Sequence, residues 1–324
     1  ISEAYTMLRY LDYDQLQEMG ISHFDSWAAQ FGDNITQMEM ATSGEFKQKT
    51  RFSQFNNIPV LSELMQRTFD IQKTADMGLP NMPKLANGER RIVAAPRTDD
   101  IEAFLATLVE RSEVVSKPGN DKRVDNMLKI TTDGRKGGLD MRLIDPTLPD
   151  QPNSKANQAV REILEVYRRT DDVKGTQIVF SDLGVPKGVQ QDGERFMFDV
   201  YADVKSKLVA GGIPANKIAF IHDAKNDRQR VELFRKVRAG EVRVLMGSTE
   251  KMGVGVNVQD RLAALHHLDT PYRPSDLEQR EGRILRQRNN QLFPEVEVFQ
   301  YVQEPLDAVM WQIVESKAKA IHAI

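Results

Sequence analysis

Two rhythms of apolar and polar residues organise this chain. In the C-terminal half, short β-branched runs alternate with longer segments of helical period. Residues 176–182, 217–223, 242–249 and 262–269 each read as a strand that ends in polar residues. Residues 154–168, 199–208 and 227–239 read as helices, the last with Val231, Leu233, Phe234 and Val237 set among Arg and Lys. Strands alternating with helices predict an α/β fold with a doubly wound parallel sheet. Such a sheet binds ligands beyond the carboxyl ends of its strands. The pairs Ser181-Asp182, His222-Asp223 and Ser248-Thr249 all fall at that edge.

The first 90 residues or so are helical in pattern. Tyr5, Leu8, Leu11 and Leu16 follow helical spacing, and Ser22 could cap a helix holding Phe24, Trp27, Ala28 and Phe31. These aromatics are expected in a core, with base stacking as the alternative. A loop is expected at Thr42-Ser43-Gly44, a helix over 55–69 and a Gly/Pro connector over 78–83. Residues 90–95 read as a strand and 99–116 as a helix carrying Ile101, Phe104, Leu105, Leu108 and Val109. Residues 126–143 read as a helix interrupted at Asp133-Gly134 and Gly137-Gly138, before a proline-rich loop over 145–152. The tail from Pro305 is amphipathic, with Leu306, Val309, Met310, Ile313, Val314 and Ile321 on one face. The expected division is a helical region over 1–90 and an α/β region over 91–324.

Composition narrows the chemistry. A net charge of −3 excludes a generally basic nucleic-acid binder, so any such contact must be a local stripe. With no cysteine, disulfides and thiolate metal sites are excluded, and the five histidines lack zinc-type spacing. No metal site is therefore expected. His266 and His267 should point to opposite faces of their strand. No signal peptide or apolar run of membrane-spanning length is seen, so a cytoplasmic protein without a membrane partner is the default expectation.

The run Gln279-Arg280-Glu281-Gly282-Arg283-Ile284-Leu285-Arg286 carries the sharpest chemistry. Arg283 and Arg286 stand three apart, on one face of a predicted helix. Two permanently charged planar forks suit phosphate oxygens. The plain alternative is a surface salt bridge with Glu278 or Glu281. Upstream, Gly253-Val254-Gly255-Val256-Asn257 follows the strand at 242–249, where glycines let backbone approach a ligand. A dinucleotide fingerprint would need a third glycine at position 258, which is Val.

The spacing Gln-x-x-Gly-Arg-x-x-Arg at 279–286 resembles motif VI of superfamily 2 helicases and DNA translocases. Residues 242–257 resemble their motif V, and 176–182 their motif IV. The stretch from Ile1 through Phe31 is similar to the helical protrusion that leaves the first motor lobe of SWI/SNF-type translocases. Asn153-Ser154-Lys155-Ala156 is similar to the entry of their second lobe. The resemblance is strongest to large helicase–methylase proteins of phages and conjugative elements. Those proteins more often carry Gly-Gln or Gly-Asn where Gln287-Arg288-Asn289 stands here.

This resemblance implies a RecA-like second motor lobe with a helical N-terminal region. It implies that Arg286 is an arginine finger, that Arg283 contacts the γ-phosphate and that Gln279 holds the loop. Gly253, Gly255 and Asn257 would couple nucleotide to DNA, while Ser181, His222, Ser248, Thr249 and Lys251 would contact the phosphates of one strand. Implied partners are DNA, expected to be duplex, an upstream RecA-like lobe of the same polypeptide, and an adenine-specific DNA methylase domain as a further neighbour. No Gly-x-x-x-x-Gly-Lys-Ser/Thr run occurs. ATP with Mg is therefore expected to be bound mainly by the first lobe, upstream of Ile1, and this chain alone is expected to hydrolyse none. A non-catalytic DNA- or protein-docking module of the same fold is the rival reading, and a Rossmann-type enzyme is disfavoured by the glycine spacing.

Overall fold

Helices in this protein begin where a polar side chain takes up an unpaired amide. In the computed structural model, which describes residues 2–40, 46–70, 82–116, 124–186, 198–252, 255–287 and 292–322, Asn126, Ser154, Asp199 and Asn226 each accept a hydrogen bond from the amide three residues on, at 2.9 to 3.3 Å. Each therefore caps the helix that follows it.

The chain forms two compact units: Ile1–Ala41, Glu45–Leu79 and Gln312–Ile324 in the first, and Pro80–Trp311 in the second. The first contains α1 (Ser2–Leu11), α2 (Tyr13–Glu18), α3 (Phe24–Phe31), β1 (Gly32–Met40), β2 (Phe46–Phe55) and α4 (Ile58–Thr68). Leu8, Leu16, Trp27, Phe31 and Leu61 are its fully enclosed core. The Trp27 ring lies 5.7 Å from Tyr5 and 5.5 Å from Phe31. Ser22 is not the cap of α3; that position is His23, and the Ser22 carbonyl accepts the Tyr5 hydroxyl at 2.7 Å.

The second unit runs β3 (Lys84–Leu85), β4 (Arg91–Ala95), α5 (Asp99–Ser116), α6 (Met127–Leu139), α7 (Lys155–Arg169) and β5 (Thr176–Phe180). It continues with α8 (Val200–Ala210), β6 (Ile218–Phe220), α9 (Asp227–Arg238), β7 (Val244–Gly247), α10 (Thr249–Met252) and β8 (Leu262–His267). Then come α11 (Pro274–Glu281), β9 (Glu295–Gln303) and α12 (Ala308–His322), whose last residues group with the first unit. The strands form one parallel sheet in the order β9-β8-β5-β7-β6, with β3 and β4 paired to β9. Val179, Val244, Met246 and Ala264 pack with α7 and α8 on one face. Ile178, Phe180, Leu245 and Leu265 pack with Phe234 and Val237 of α9 on the other. Covering both faces explains why these strands are apolar throughout rather than alternating. No helix among the described residues is long and apolar enough to cross a membrane.

Four departures from the sequence reading have physical causes. First, residues 32–55 are an antiparallel hairpin, pairing Gly32 with Phe55 and Met40 with Phe46. Its strands are polar-rich, and cross-strand backbone pairing leaves little hydrophobic signature. Second, α6 runs unbroken through Gly134, Gly137 and Gly138. A Cβ on Gly137 would sit 2.3 Å from the Phe104 ring, so this glycine admits α5 rather than ending α6. Third, β6 stops at Phe220, and Ile221–Asp223 coil into a 3₁₀ turn that carries His222. Fourth, Glu295–Gln303 form a strand, β9, in which only the first half, Glu295-Val296-Glu297-Val298, alternates. The loop at Thr42-Ser43-Gly44, connector residues 78–81 and the side chains of Val309, Ile313 and Ile321 lie outside the described residues.

Close packing at the end of β7 provides a test. A Cβ on Gly247 would meet Ile221 Cγ2 at 2.3 Å and Met252 Cγ at 2.9 Å, and both neighbours are buried. Gly247→Ala is expected to lower stability by about 1–3 kcal/mol through overpacking. Urea unfolding measures this, and an unchanged midpoint would contradict the packing.

Candidate functional site

Because the strands are parallel, β5, β7 and β8 end at one edge. There they deliver Ser181-Asp182, Ser248-Thr249 and Leu268-Asp269. Arg280, from α11, is fully enclosed among them. Its Nε donates to Thr249 Oγ1 at 2.7 Å. Nη1 donates to the Asp269 carbonyl at 2.8 Å and faces His267 Nδ1 at 3.5 Å. Nη2 donates to Asp182 Oδ2 at 2.7 Å and Asp269 Oδ1 at 2.9 Å. All five guanidinium hydrogens therefore have an acceptor, the condition under which a buried charge is tolerated.

The acceptors are tied in turn. Asp269 Oδ2 takes the amides of Asp182 and Leu183, at 2.6 and 2.9 Å. Asp182 takes the Thr249 amide at 2.6 Å and its hydroxyl at 2.9 Å. Burial works to raise the Asp182 carboxyl, but the Arg280 charge and the Thr249 bonds hold it below the usual carboxylate range. Next along α11, Glu281 receives a two-pronged bond from Arg90, at 2.6 and 3.1 Å, and one from His267 Nε2 at 3.3 Å. Burial opposes its charge, yet these bonds bring it down to about 2.

The two arginines singled out by spacing are not on a helix. α11 ends at Glu281, and Gly282 begins a run of turns in which the Arg283 amide reaches the Arg280 carbonyl at 3.1 Å. The turns still bring both guanidiniums to one place. Arg283 Nη1 donates to the Val256 carbonyl at 3.0 Å, and Arg286 Nη1 reaches the same oxygen at 3.4 Å. Burial, and then the nearby Arg286 charge, push Arg283 below its ordinary value. Two like charges held together, one of them partly dehydrated, favour an arriving anion. Of the two carboxylates in the plain reading, Glu281 is engaged by Arg90 and His267.

Other predicted positions divide clearly. Gln279 is exposed, and its carbonyl accepts Arg283 Nε at 3.3 Å. Gly255 stands at φ +73°, in the left-handed region, beside exposed Asn257. Gly253 and Arg288 lie outside the described residues. Ser181 is buried, and its hydroxyl donates to the Leu183 carbonyl at 2.9 Å. Thr249 is spent on Asp182 and Arg280, while the Ser248 hydroxyl takes the Lys251 amide at 3.4 Å. Lys251 is exposed. The His222 ring stands edge-on to Tyr201 at 5.5 Å, and burial, then the Lys251 charge, lower its pKa.

Sequence reasoning passed over Arg280, Asp269 and Arg90. A signal for Arg280 existed: Leu277 and Ile284 lie three before and four after it, which puts it at helical spacing among buried apolar positions. Elsewhere, the acidic group Asp140, Asp150 and Asp203 is met by Arg142, at 2.8, 2.8 and 3.1 Å, and by Lys207.

A model of the helicase conserved C-terminal domain matches residues 199–288, and a model of a probable helicase domain matches residues 1–73. No match was found among curated proteins. The solved C-terminal part of the Fun30 ATPase domain is similar at 12% identity and TM-score 0.51, covering 75% of this chain and 96% of that one. The DUF1998 helicase MrfA bound to DNA aligns at 17% identity and TM-score 0.35, over 51% of this chain and 20% of its own. S. cerevisiae Dbp5 L327V bound to RNA and ADP BeF3 aligns at 16% and 0.36, over 52% and 37%. The likeness to Fun30 is one of fold, and the other two overlap too little to argue from. Residues 199–288 thus match a helicase C-terminal domain, within an α/β fold of RecA-like type.

Two outcomes follow from this geometry. Arg280→Ala strands the buried Asp269 carboxylate and the half-buried Asp182 and is expected to lower stability by about 3–5 kcal/mol. Denaturant unfolding checks this, and a loss under about 1 kcal/mol would refute the network's role. The second concerns His266 and His267, both enclosed. Burial, with their mutual charge for the former, depresses them to about 3 and about 4. The folded state therefore refuses protons that the unfolded chain accepts below about pH 6.5. Stability is complete above that pH and falls by about 1.4 kcal/mol per histidine per unit below it. Thermal melts from pH 6.5 to 5 should show this slope, and His266→Gln should remove roughly half of it.

Proposed function

We propose that this chain is the second lobe of an ATP-driven nucleic-acid motor, contributing an arginine finger and contacts to a phosphate backbone. The observation that supports it is the meeting of Arg283 and Arg286 on the Val256 carbonyl. That meeting joins the two segments that resemble motifs V and VI. The donor set fits a triphosphate, since both guanidiniums keep their charge and can grip oxygens from two directions. ATP, held with Mg chiefly by a first lobe, would supply the phosphoryl group.

In this reading Arg286 is the finger that stabilises charge on the transferring group, and Arg283 orients its oxygens. Gln279 fixes the turn through its carbonyl. Gly255 gives the loop its left-handed turn, and Gly253, Gly255 and Asn257 would couple nucleotide binding to the grip on nucleic acid. Lys251 and His222 would meet phosphates directly. Ser181, Ser248 and Thr249 would act through the edge they build, because their hydroxyls are engaged internally. Such contacts position a strand without reading its sequence. DNA, as duplex, is the proposed track. The resemblance of the chain to helicase–methylase proteins adds a DNA methylase as a proposed neighbour.

The test is nucleic-acid-stimulated ATP turnover by this chain joined to a first motor lobe. Arg286→Ala is expected to reduce turnover by about a hundredfold or more, within the range that arginine fingers supply. Equal rates for wild type and variant would discard the finger. Salt-sensitive DNA binding without turnover in either protein would favour the docking-module reading instead.

A further inference from the structure

The loop from Gly255 to Val258 is built to present alternate residues. Val256 and Val258 are almost fully enclosed, in the same cluster as Phe234 and Val237 of α9. Gly255 and Asn257, between them, are exposed. The Val256 and Asn257 carbonyls are both held by arginine side chains. Arg283 and Arg286 reach Val256, and Arg238 Nη1 reaches the Asn257 carbonyl at 2.8 Å. Two successive carbonyls are therefore clipped from two elements, one by the turns after α11 and the other by the last turn of α9.

The two clips differ in permanence. A carbonyl is a weaker acceptor for a guanidinium than a phosphate oxygen. If Arg283 and Arg286 leave Val256 for an anion, their hold on the loop is released. Arg238 stands at the end of a helix whose Phe234 and Val237 are buried in the sheet, and its bond needs neither arginine. The geometry points to Arg238 as a positioning residue that keeps Asn257 aimed at the nucleic acid when the other two arginines change partners. This inference rests on the motor reading for the role of Asn257, while the anchoring of the loop stands on its own. Arg235, one turn earlier, is paired with Glu232 and Glu241 and is the natural control.

Two measurements on this chain separate these parts. Hydrogen exchange at the amides of Val256, Asn257 and Val258 should quicken by about tenfold in Arg238→Ala, with the β5 and β7 amides unchanged. Arg235→Ala should leave the loop alone. Unchanged exchange in Arg238→Ala overturns the anchor. Binding of a fluorescent DNA duplex at low salt is then measured for Arg238→Ala, Asn257→Ala and the double variant. Each single variant should weaken binding about three- to tenfold, and the double variant no further, because a positioning residue acts through the group it positions. Arg238→Lys should restore part of the loss. Additive losses would mean that Arg238 touches DNA itself and overturn the positioning role. Absence of binding by the wild type, with exchange still quickened, would refute the motor reading and Asn257's part in it while the anchor holds.

Discussion

The site depends on one enclosed charge. Arg280 is bonded to groups from the ends of β5, β7 and β8, so a single guanidinium fixes the relative height of three strands at their carboxyl edge. Burying it is tolerable because Asp182 and Asp269 answer the charge and Thr249 and His267 take the remaining hydrogens. The direction of the Asp182 shift agrees, since attraction and hydrogen bonds overcome a burial that alone would favour the acid. The same residue reaches outward through His267 to Glu281 and Arg90. The start of β4 is thereby tied to the end of α11.

This framework gives the neighbouring arginines their character. Arg280 has carboxylate partners, so exchanging them for a ligand would expose buried negative charge. Arg283 and Arg286 are described against a neutral carbonyl, and their mutual repulsion favours an anion between them. Of these three arginines within seven residues, Arg280 builds the edge and the other two meet on the Val256 carbonyl. Gly282 makes the division possible by ending α11 before the second pair. On a continued helix, Arg283 would lie three residues beyond Arg280, next to it on the same face.

The sheet was legible in the sequence because a strand covered on both faces is apolar throughout. Residues 176–180, 244–247 and 262–267 announced themselves in that way. The polar pairs at the carboxyl edge were legible as positions but not as roles. Ser181 and Thr249 look identical in sequence to exposed hydroxyls, and only their neighbours turn them inward. Arg280 escaped notice because charge suggests surface, although the spacing of Leu277 and Ile284 placed it inside. The hairpin at 32–55 was missed because polar strands paired to each other carry no helical or strictly alternating apolar stripe. The glycines of α6 misled for the opposite reason: their signal is local, but the close approach of Phe104 that explains them is tertiary.

β9 brings a consequence for how the second unit is made. It lies between β8 and the strands β3 and β4, which precede it by some two hundred residues in the chain. During synthesis, β8 must wait with one edge unpaired until residues 295–303 have left the ribosome. A strand edge that waits is open to pairing with another chain. Cutting the polypeptide at residue 288, where the helicase-domain match ends, would make that wait permanent. The matched segment is therefore shorter than the sheet it belongs to, which is complete only from β3 through β9.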